Sequence, residues 1–344
     1  MSSKATITDI AKAAGVSTTT VSRYLNKKYS FMSELTREKI SDAIESHHYI
    51  PNNVARALKS KESHLIGVIT QTLKNQVAAQ TIASINDVCE HAGYGTIVCC
   101  SDNRPDKELR AIEFCKNQQV DGLIIIPAVD DRKRYENIIE QGKPVVLVTR
   151  PVRGWKFGCV YVNHNDLIKR MIEHLKDNGF EKVLFINDGT DFLKKKIEDS
   201  YFKYASIAFD MSRSETCFSY ERGDTALTQI DTAINSFTVK YKLQRKAIFA
   251  VNTPTLFLTL KILLNRKISF PDEIGVCGYD AIGWSQLIGG GISSIRHPMD
   301  KMGQLGAEEL LKTIKDQDYK PQKIILGGTI KFMESTMGEG TIEI

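Results

Sequence analysis

Two runs of alternating apolar strands and helices fill most of the chain and constrain the fold more than any other feature. The first run opens with LIGVIT at 65–70 and continues through apolar segments at 95–100 and 120–127. The second includes KVLFIND at 182–188 and KAIFAVN at 246–252. Strands that are apolar at nearly every position and are separated by helices indicate parallel sheets covered on both faces. The sequence therefore predicts two similar α/β lobes.

The carboxyl ends of these strands are where folds of this kind bind ligands. Two such sheet edges facing each other would enclose a cleft suited to a small molecule. Two late segments, 289–298 and 325–330, are interpreted as further crossings between the lobes. We therefore expect a body spanning residues 63–344. Its lobes are assigned as about 63–162 with 292–326, and about 163–291 with 327–344.

A different pattern occupies the N-terminus, where two short helical segments meet at Gly15. Residues 7–14 fit one helix, and glycine suits the turn because it adopts positive φ without a steric cost. Ser17 can cap the second helix through its hydroxyl group. A third helix is expected after the second. The spacing predicts a helix-turn-helix headpiece over residues 1–48.

Charge and side-chain chemistry indicate a partner for this headpiece. Of the 46 Lys and Arg and the 41 Asp and Glu residues in the chain, ten and six lie within residues 1–62. The excess positive charge therefore lies near the N-terminus, which favours a polyanion partner. The second helix is expected to expose short hydrogen-bonding groups and one arginine, which suits the major groove of DNA. The alternative is a helix-turn-helix used only for packing.

Residues 49–62 are interpreted as a hinge. Pro51 ends the third helix, and a helix of about two turns is expected over 53–59. So short a helix is not stable alone in water and needs DNA or a second copy to fold against. Leu58 would then be an exposed apolar side chain, able to wedge between base pairs in the minor groove. A simple linker is the other interpretation.

The chain lacks the motifs of common catalytic and metal sites. It contains no G-x-S-x-G, P-loop or H-E-x-x-H motif, and its seven cysteines include no C-x-x-C pair. We therefore expect no enzyme activity, no cofactor and no metal. The polar N-terminus and the lack of a long apolar run predict a cytoplasmic protein without a membrane span.

The N-terminal motifs resemble those of a known family of regulators. TITDIAKAAGVSTTTVSRYLN at 6–26, TREKI at 36–40 and YIPNNVARALK at 49–59 are similar to the headpiece and hinge helix of LacI/GalR-family transcription repressors. The remainder is similar to that family's periplasmic-binding-protein-like body, so the resemblance covers essentially the full chain. NKKYSFMSELTREKI at 26–40 also resembles the branch that represses 2-keto-3-deoxygluconate (KDG) metabolism.

For the headpiece, this resemblance implies a set of contacts with a pseudo-palindromic DNA operator. Base edges would be contacted by the second helix, and Leu58 matches the family's minor-groove leucine. The expected DNA-binding residues are Thr6, Thr8, Ser17, Thr18, Thr19, Ser22, Arg23, Asn26, Tyr49, Asn52, Ala55, Arg56, Leu58 and Lys59.

The body departs from the family where effectors usually bind. Segment 194–210 lacks the arginine with which family members usually bind the effector. Thr149 and Thr253 occupy positions where an acidic residue is common in the family. Asp280 matches the family's ligand-facing aspartate. The expected effector-binding residues are Leu73, Arg150, Lys196, Asn252 and Asp280.

Together these expectations describe a homodimeric, sequence-specific repressor of carbohydrate or sugar-acid genes, controlled by a small sugar-derived effector. In one alternative the cleft is degenerate and the regulator responds to a protein corepressor. In a different class, the chain is a sugar-binding protein or a sugar-modifying enzyme. The headpiece argues against the first of these, and the lack of a catalytic constellation argues against the second.

Overall fold

The computed structural model describes residues 5–25, 28–30, 32–49, 62–74, 76–189, 191–280 and 283–344. The chain divides into two units, Met1–Ser63 and His64–Ile344. Among the described residues, no helix is both long and apolar enough to cross a membrane.

The described residues of the first unit form three helices: α1 (Ile7–Ala14), α2 (Thr18–Leu25) and α3 (Glu34–Ser46). Gly15 has a φ of +65°, and this left-handed turn separates α1 from α2. Ser33 caps α3 by accepting a hydrogen bond from the backbone N–H of Thr36. The predicted helix-turn-helix is confirmed.

The three helices share a small apolar core. Ile10, Val21 and Ile40, one from each helix, are fully buried. Alanine side chains between α1 and its neighbours allow the short helices to approach closely. The buried members of this core are Ile10, Ala11, Ala14, Val21, Met32, Ile40 and Ala43.

The second unit contains two sheets, of which the first has six strands. All pairings in the first sheet are parallel, in the order β11-β5-β4-β3-β1-β2. The strands are β1 (Leu65–Thr70), β2 (Gly95–Cys100), β3 (Gly122–Ile125), β4 (Val145–Val148), β5 (Cys159–Val162) and β11 (Lys323–Leu326). The helices of this lobe are α4 (Gln76–His91), α5 (Pro105–Asn117), α6 (Arg132–Glu140) and α12 (Met299–Lys315).

The second sheet has seven strands in the order β13-β12-β10-β9-β8-β6-β7. They are β6 (Lys182–Asn187), β7 (Cys217–Ser219), β8 (Lys246–Ala250), β9 (Gly275–Tyr279), β10 (Ser293–Arg296), β12 (Thr329–Phe332) and β13 (Gly340–Glu343). The helices are α7 (His164–Asp177), α8 (Phe192–Phe209), α9 (Arg213–Thr216), α10 (Ala226–Lys240) and α11 (Thr253–Asn265). Two-lobed α/β architecture is thus confirmed, although β12 pairs antiparallel with both β10 and β13.

The chain crosses between the lobes later than the sequence indicated. The first lobe was expected to resume at residue 292, but β10 belongs to the second sheet, where Ser293–Ile295 pair with Cys277–Tyr279. The return to the first lobe follows β10 and leads into α12. Short strands such as β10 pair with whichever sheet edge is adjacent, and that long-range choice is not encoded in their own composition.

Helix α12 belongs to the first lobe because it crosses α4 at very close range. A side chain at Gly303 would overlap the carbonyl oxygen of Thr81. The close crossing therefore requires glycine at position 303. It holds α12, the first helix after the chain returns from the second lobe, against α4 of the first lobe. Arg150 follows β4 and Asp191 follows β6, and the ion pair between them shows that the carboxyl ends of these two strands face each other across the cleft.

Candidate functional sites

The second helix of the headpiece presents its polar side chains to solvent. Val21 is fully buried, whereas Thr18, Thr19 and Arg23 are exposed and Ser22 is partly buried. Short hydroxyl groups and one guanidinium can read the donor and acceptor atoms of base edges in the major groove. The structure therefore places these four predicted contact residues on one accessible helix.

Two further predicted DNA-contacting residues act as helix caps. Thr6 Oγ1 donates to the Asp9 carboxylate at 2.7 Å and accepts from the Asp9 backbone N–H at 3.4 Å. The Thr6 hydroxyl and the Thr6 backbone N–H both donate to the Asp9 carboxylate, and these two hydrogen bonds lower the pKa of Asp9 below its ordinary value. Ser17 Oγ accepts from the Thr20 backbone N–H at 3.1 Å. Both hydroxyl groups therefore fix where α1 and α2 begin.

The remaining predicted contacts divide into described and undescribed residues. Thr8 is exposed on α1, and Tyr49 packs partly buried against the headpiece core. The other predicted contacts lie outside the described residues: Asn26, Asn52, Ala55, Arg56, Leu58 and Lys59.

In the body, Arg150 lies in the cleft between the lobes with a side chain only 2% exposed. Nη1 donates to Asn103 Oδ1 at 2.8 Å and to the Pro127 carbonyl at 2.9 Å. Nη2 donates to Gln71 and, at 3.0 Å, to Asp191 Oδ2. Because Asp191 caps α8 in the second lobe, this ion pair joins the two lobes.

A strained backbone turn directs Arg150 into the cleft. Thr149 has a φ of +63°, and the backbone N–H of Arg150 donates to the Val148 carbonyl at 2.8 Å. A three-residue turn with positive φ at a β-branched residue is rare and strained. Such strain persists where surrounding contacts hold it in place. Here the hydrogen bonds of Arg150 supply those contacts.

Side chains of the second lobe complete a charge cluster around Arg150, buried except for Arg222, whose side chain is 53% exposed. Lys194 Nζ lies 2.5 Å from Asp188 and 3.5 Å from Asp191, and Arg222 also pairs with Asp188. Burial opposes ionisation of both aspartates, but the neighbouring cations outweigh it and hold their pKa values below the ordinary range. With three cations and two carboxylates, this charge cluster favours an added anion.

Two predicted effector residues lie outside the charge cluster. Lys196 Nζ is 3.3 Å from Asp130 Oδ2 and donates to the Pro151 carbonyl at 3.3 Å, which gives a second, more exposed bridge between the lobes. Leu73 is half exposed and does not line the cavity described below. The lysine that the structure brings beside the buried aspartates is Lys194, two positions earlier.

Two other predicted residues are held in local hydrogen bonds. Asn252 caps α11 by accepting from the Thr255 backbone N–H at 2.9 Å, and it donates to Asp188 Oδ2 at 3.1 Å. Asp280 is buried and accepts from Ser285 Oγ at 2.6 Å. Asn252 thus touches the charge cluster, whereas Asp280 is bonded to Ser285 of the short helix Trp284–Leu287.

A cavity of about 70 Å³ lies beside Arg150. Pockets that hold whole small molecules usually measure roughly 300–1,000 Å³. This conformation therefore admits a head group, and the lobes must separate to admit an entire sugar. The lining residues are Gln71, Val77, Ala78, Ile126, Thr149, Arg150, Val162, His164, Leu193, His297 and Met302.

Sequence reasoning missed the two histidines of this lining, each of which follows a strand at a crossing between the lobes. His164 Nδ1 lies 3.1 Å from the Tyr279 hydroxyl, and the His297 ring centroid is 4.9 Å from those of both residues. Burial lowers the pKa of His297 to about 4. Burial, together with His297, also lowers the pKa of His164. Their one sequence signal was position, within two residues of the ends of β5 and β10.

Within the part of the chain that the structure describes, His164 and His297 are not part of a group of side chains that could bind a metal ion. No three His, Cys, Asp or Glu side chains there are grouped in a way that could hold a metal ion. The histidines therefore offer hydrogen-bonding nitrogen atoms and ring surfaces to the cavity.

The second lobe also carries an apolar surface. Phe257 on α11 packs edge-on against Trp284 with ring centroids 6.0 Å apart. Leu264 lies two helical turns along α11, and Leu287, in the same short turn as Trp284, is 86% exposed. Phe257, Leu264 and Leu287 are each more than half exposed, and exposed apolar side chains grouped on a surface are typical of interaction sites.

Comparison with protein families gives two matches. Residues 6–52 match the model for bacterial regulatory proteins of the lacI family. Residues 172–336 match the model for a periplasmic binding protein-like domain.

Individual relatives align over nearly the whole chain. The HTH-type transcriptional regulator KdgR of Bacillus subtilis (strain 168) is 28% identical over 330 residues, covering 96% of this chain and 97% of that protein. The probable HTH-type transcriptional regulator EndR of Paenibacillus polymyxa is 29% identical over 322 residues, covering 92% and 93%. A crystal structure of the lac repressor dimer bound to operator and the anti-inducer ONPF superposes with a TM-score of 0.82 at 22% identity, covering 98% of this chain and all of that one.

Proposed function

Because this chain belongs to the LacI family of bacterial regulatory proteins, we propose that it represses transcription by binding DNA under the control of a small sugar-derived acid. The exposed polar face of α2 carries the DNA-binding part of this proposal. A bacterial DNA-binding regulator acts in the cytoplasm, and we assign the chain no catalytic role.

Dimerisation is part of the proposal, because one headpiece buries too little of the groove for tight specific binding. The apolar surface of Phe257, Leu264 and Leu287 supports it, since two copies could cover this surface on each other. Two headpieces would then read the halves of a pseudo-palindromic operator. Leu58 from each copy is proposed as the minor-groove wedge.

The acidic nature of the effector is supported by the charge cluster around Arg150. That cluster has one more positive than negative charge, so a carboxylate would neutralise it. The similarity to KdgR, together with the headpiece segment at 26–40, favours a sugar acid such as KDG.

A second candidate control mechanism rests on the ion pair between Arg150 and Asp191. Because these charges satisfy each other across the cleft, the body could hold its lobes together without any small molecule. Control would then come from a protein corepressor. Titration of the full chain with sugars, sugar acids and sugar phosphates separates the two mechanisms, because only the first predicts binding.

The DNA-binding function is tested by selecting duplexes from a randomised library and measuring affinity by fluorescence anisotropy. We expect Arg23→Ala to weaken binding of the selected duplex by about 1–3 kcal/mol and to relax its sequence preference. Lys39→Ala, which removes an equal charge from the exposed side of α3, is the matched control. Equal losses on selected and scrambled duplexes for Arg23→Ala would contradict base reading by α2.

A further inference from the structure

Two polar atoms of the cleft have no hydrogen-bond partner among the described residues. They are Nε2 of His297 and Nε of Arg150, and both atoms are buried. An unpaired buried polar group costs free energy comparable to that of a lost hydrogen bond. Such groups are therefore rare in folded proteins, and each one calls for an explanation such as a bound ligand. Both residues line the same cavity.

The two atoms come from different parts of the body. Arg150 follows β4 in the first lobe, whereas His297 follows β10 at the return from the second lobe. The other nitrogen atoms of Arg150 already donate to four oxygen atoms, which leaves Nε as the donor available to a ligand. A ligand in the cavity would therefore contact both parts at once.

The chemistry of these atoms defines the ligand group. Arginine Nε can only donate, so it requires an oxygen acceptor, and the excess positive charge around it favours a carboxylate. His297 is neutral near pH 7 because burial lowers its pKa to about 4. A neutral imidazole nitrogen pairs with a hydroxyl or carbonyl oxygen without adding charge.

We propose that His297 contacts the effector directly, binding the oxygen on the carbon next to a carboxylate held by Arg150. The effector class is then a 2-hydroxy or 2-keto sugar acid. The small cavity holds this acid end, and the rest of the sugar lies toward the cleft opening. This inference rests on the proposed control by a small molecule and adds a residue and a functional group to it.

A purely structural role for His297 predicts different behaviour. In that case its ring would serve to pack against His164 and Tyr279, and Nε2 would have a partner such as bound water. His174 provides a matched comparison within the same lobe. Its Nε2 is 2.8 Å from Thr336 Oγ1, its ring stacks on Phe332, and it does not line the cavity.

The experiment uses the full chain and calorimetric titration with gluconate, KDG and 2-deoxygluconate, alongside neutral sugars and sugar phosphates. We expect wild-type protein to bind gluconate or KDG at least tenfold more tightly than 2-deoxygluconate, which lacks the C2 oxygen. His297→Phe should lose at least tenfold in affinity for the preferred acid. His297→Gln, which keeps a terminal amide nitrogen, should retain part of it.

Melting temperatures of the ligand-free variants give a second readout. Phenylalanine keeps the ring at position 297 but removes the unpaired nitrogen, so His297→Phe should raise the melting temperature. His174→Phe removes a satisfied nitrogen, so it should lower the melting temperature and leave acid affinity unchanged. A lower melting temperature for His297→Phe would mean that Nε2 is already satisfied, and would overturn the proposal.

The titrations separate this inference from the proposed function. Equal affinity of wild type and His297→Phe for the acid overturns the inference and leaves acid sensing intact. Binding of neutral sugars or phosphates alone also overturns it while small-molecule control stands. If no compound binds wild type, both the inference and small-molecule control fail, and DNA binding by the headpiece is unaffected.

Discussion

Replacement of Asp191 by asparagine tests whether the buried ion pair across the cleft holds the two lobes together. Asparagine is nearly isosteric and still caps α8, so the change removes the charge with little else. Arg150 and Asp191 are 3.0 Å apart and both 2% exposed. At an effective dielectric constant near 20, Coulomb attraction at that distance is about 5 kcal/mol before the retained hydrogen bond and the nearby Lys194 are considered. We expect a net coupling of about 2–3 kcal/mol.

The assay is a double-mutant cycle that combines Asp191→Asn with Arg150→Gln, read from urea unfolding at pH 7. Asp191→Asn alone should also lower the melting temperature by about 4–8 °C. The control cycle uses Arg213 and Asp199, which are 2.8 Å apart but 43% and 54% exposed, and should couple by less than about 1 kcal/mol. A coupling below about 0.5 kcal/mol for the cleft pair would refute the reasoning.

Three further predictions concern the histidine of the cleft and the packing of each unit. Burial lowers the pKa of His297 from its ordinary value of 6.5 to about 4 in the folded protein. Between pH 4 and pH 6.5 the unfolded chain therefore binds more protons than the folded protein, and the free energy of unfolding should fall as the pH drops from 6.5 to 4. His297→Phe should remove up to about 3 kcal/mol of that dependence in unfolding titrations, and an unchanged pH profile would contradict it. Gly303→Ala should cost about 1–3 kcal/mol because its methyl group would overlap the Thr81 carbonyl, whereas exposed Gln304→Ala should change stability by less than about 0.5 kcal/mol. Val21→Ala should destabilise the headpiece by about 1.5–3 kcal/mol, measured by calorimetry as an earlier headpiece transition with the body transition unmoved.

The headpiece could be predicted from the sequence because its determinants are local. Gly15 permits the turn, Ser17 caps the next helix, and apolar residues recur at helical spacing on each side. All of these interactions join residues within a few positions of each other. The exposed polar side of α2 follows directly, since the buried side is fixed by the same spacing.

The strand–helix alternation likewise determined the two-lobed body, because continuous apolar strands can only be buried on both faces. It did not determine which sheet receives a short strand. β10 joins the second sheet through pairing with Cys277–Tyr279, and that choice depends on which sheet edge lies beside it. The expected boundary at residue 292 was therefore misplaced by one strand.

Which side chains meet in the cleft depends on contacts between distant parts of the chain. Arg150 was expected to bind an effector, yet its partner Asp191 is 41 positions away in the other lobe. Along α8, the sequence offered three consecutive lysines, and helix rotation alone places Lys194 among the aspartates and Lys196 against Asp130. His297 entered the cavity because the chain returns between the lobes at that point. The spacing of apolar residues along the chain determines the helices and strands. Contacts between segments that are distant in sequence determine which side chains meet in the cleft.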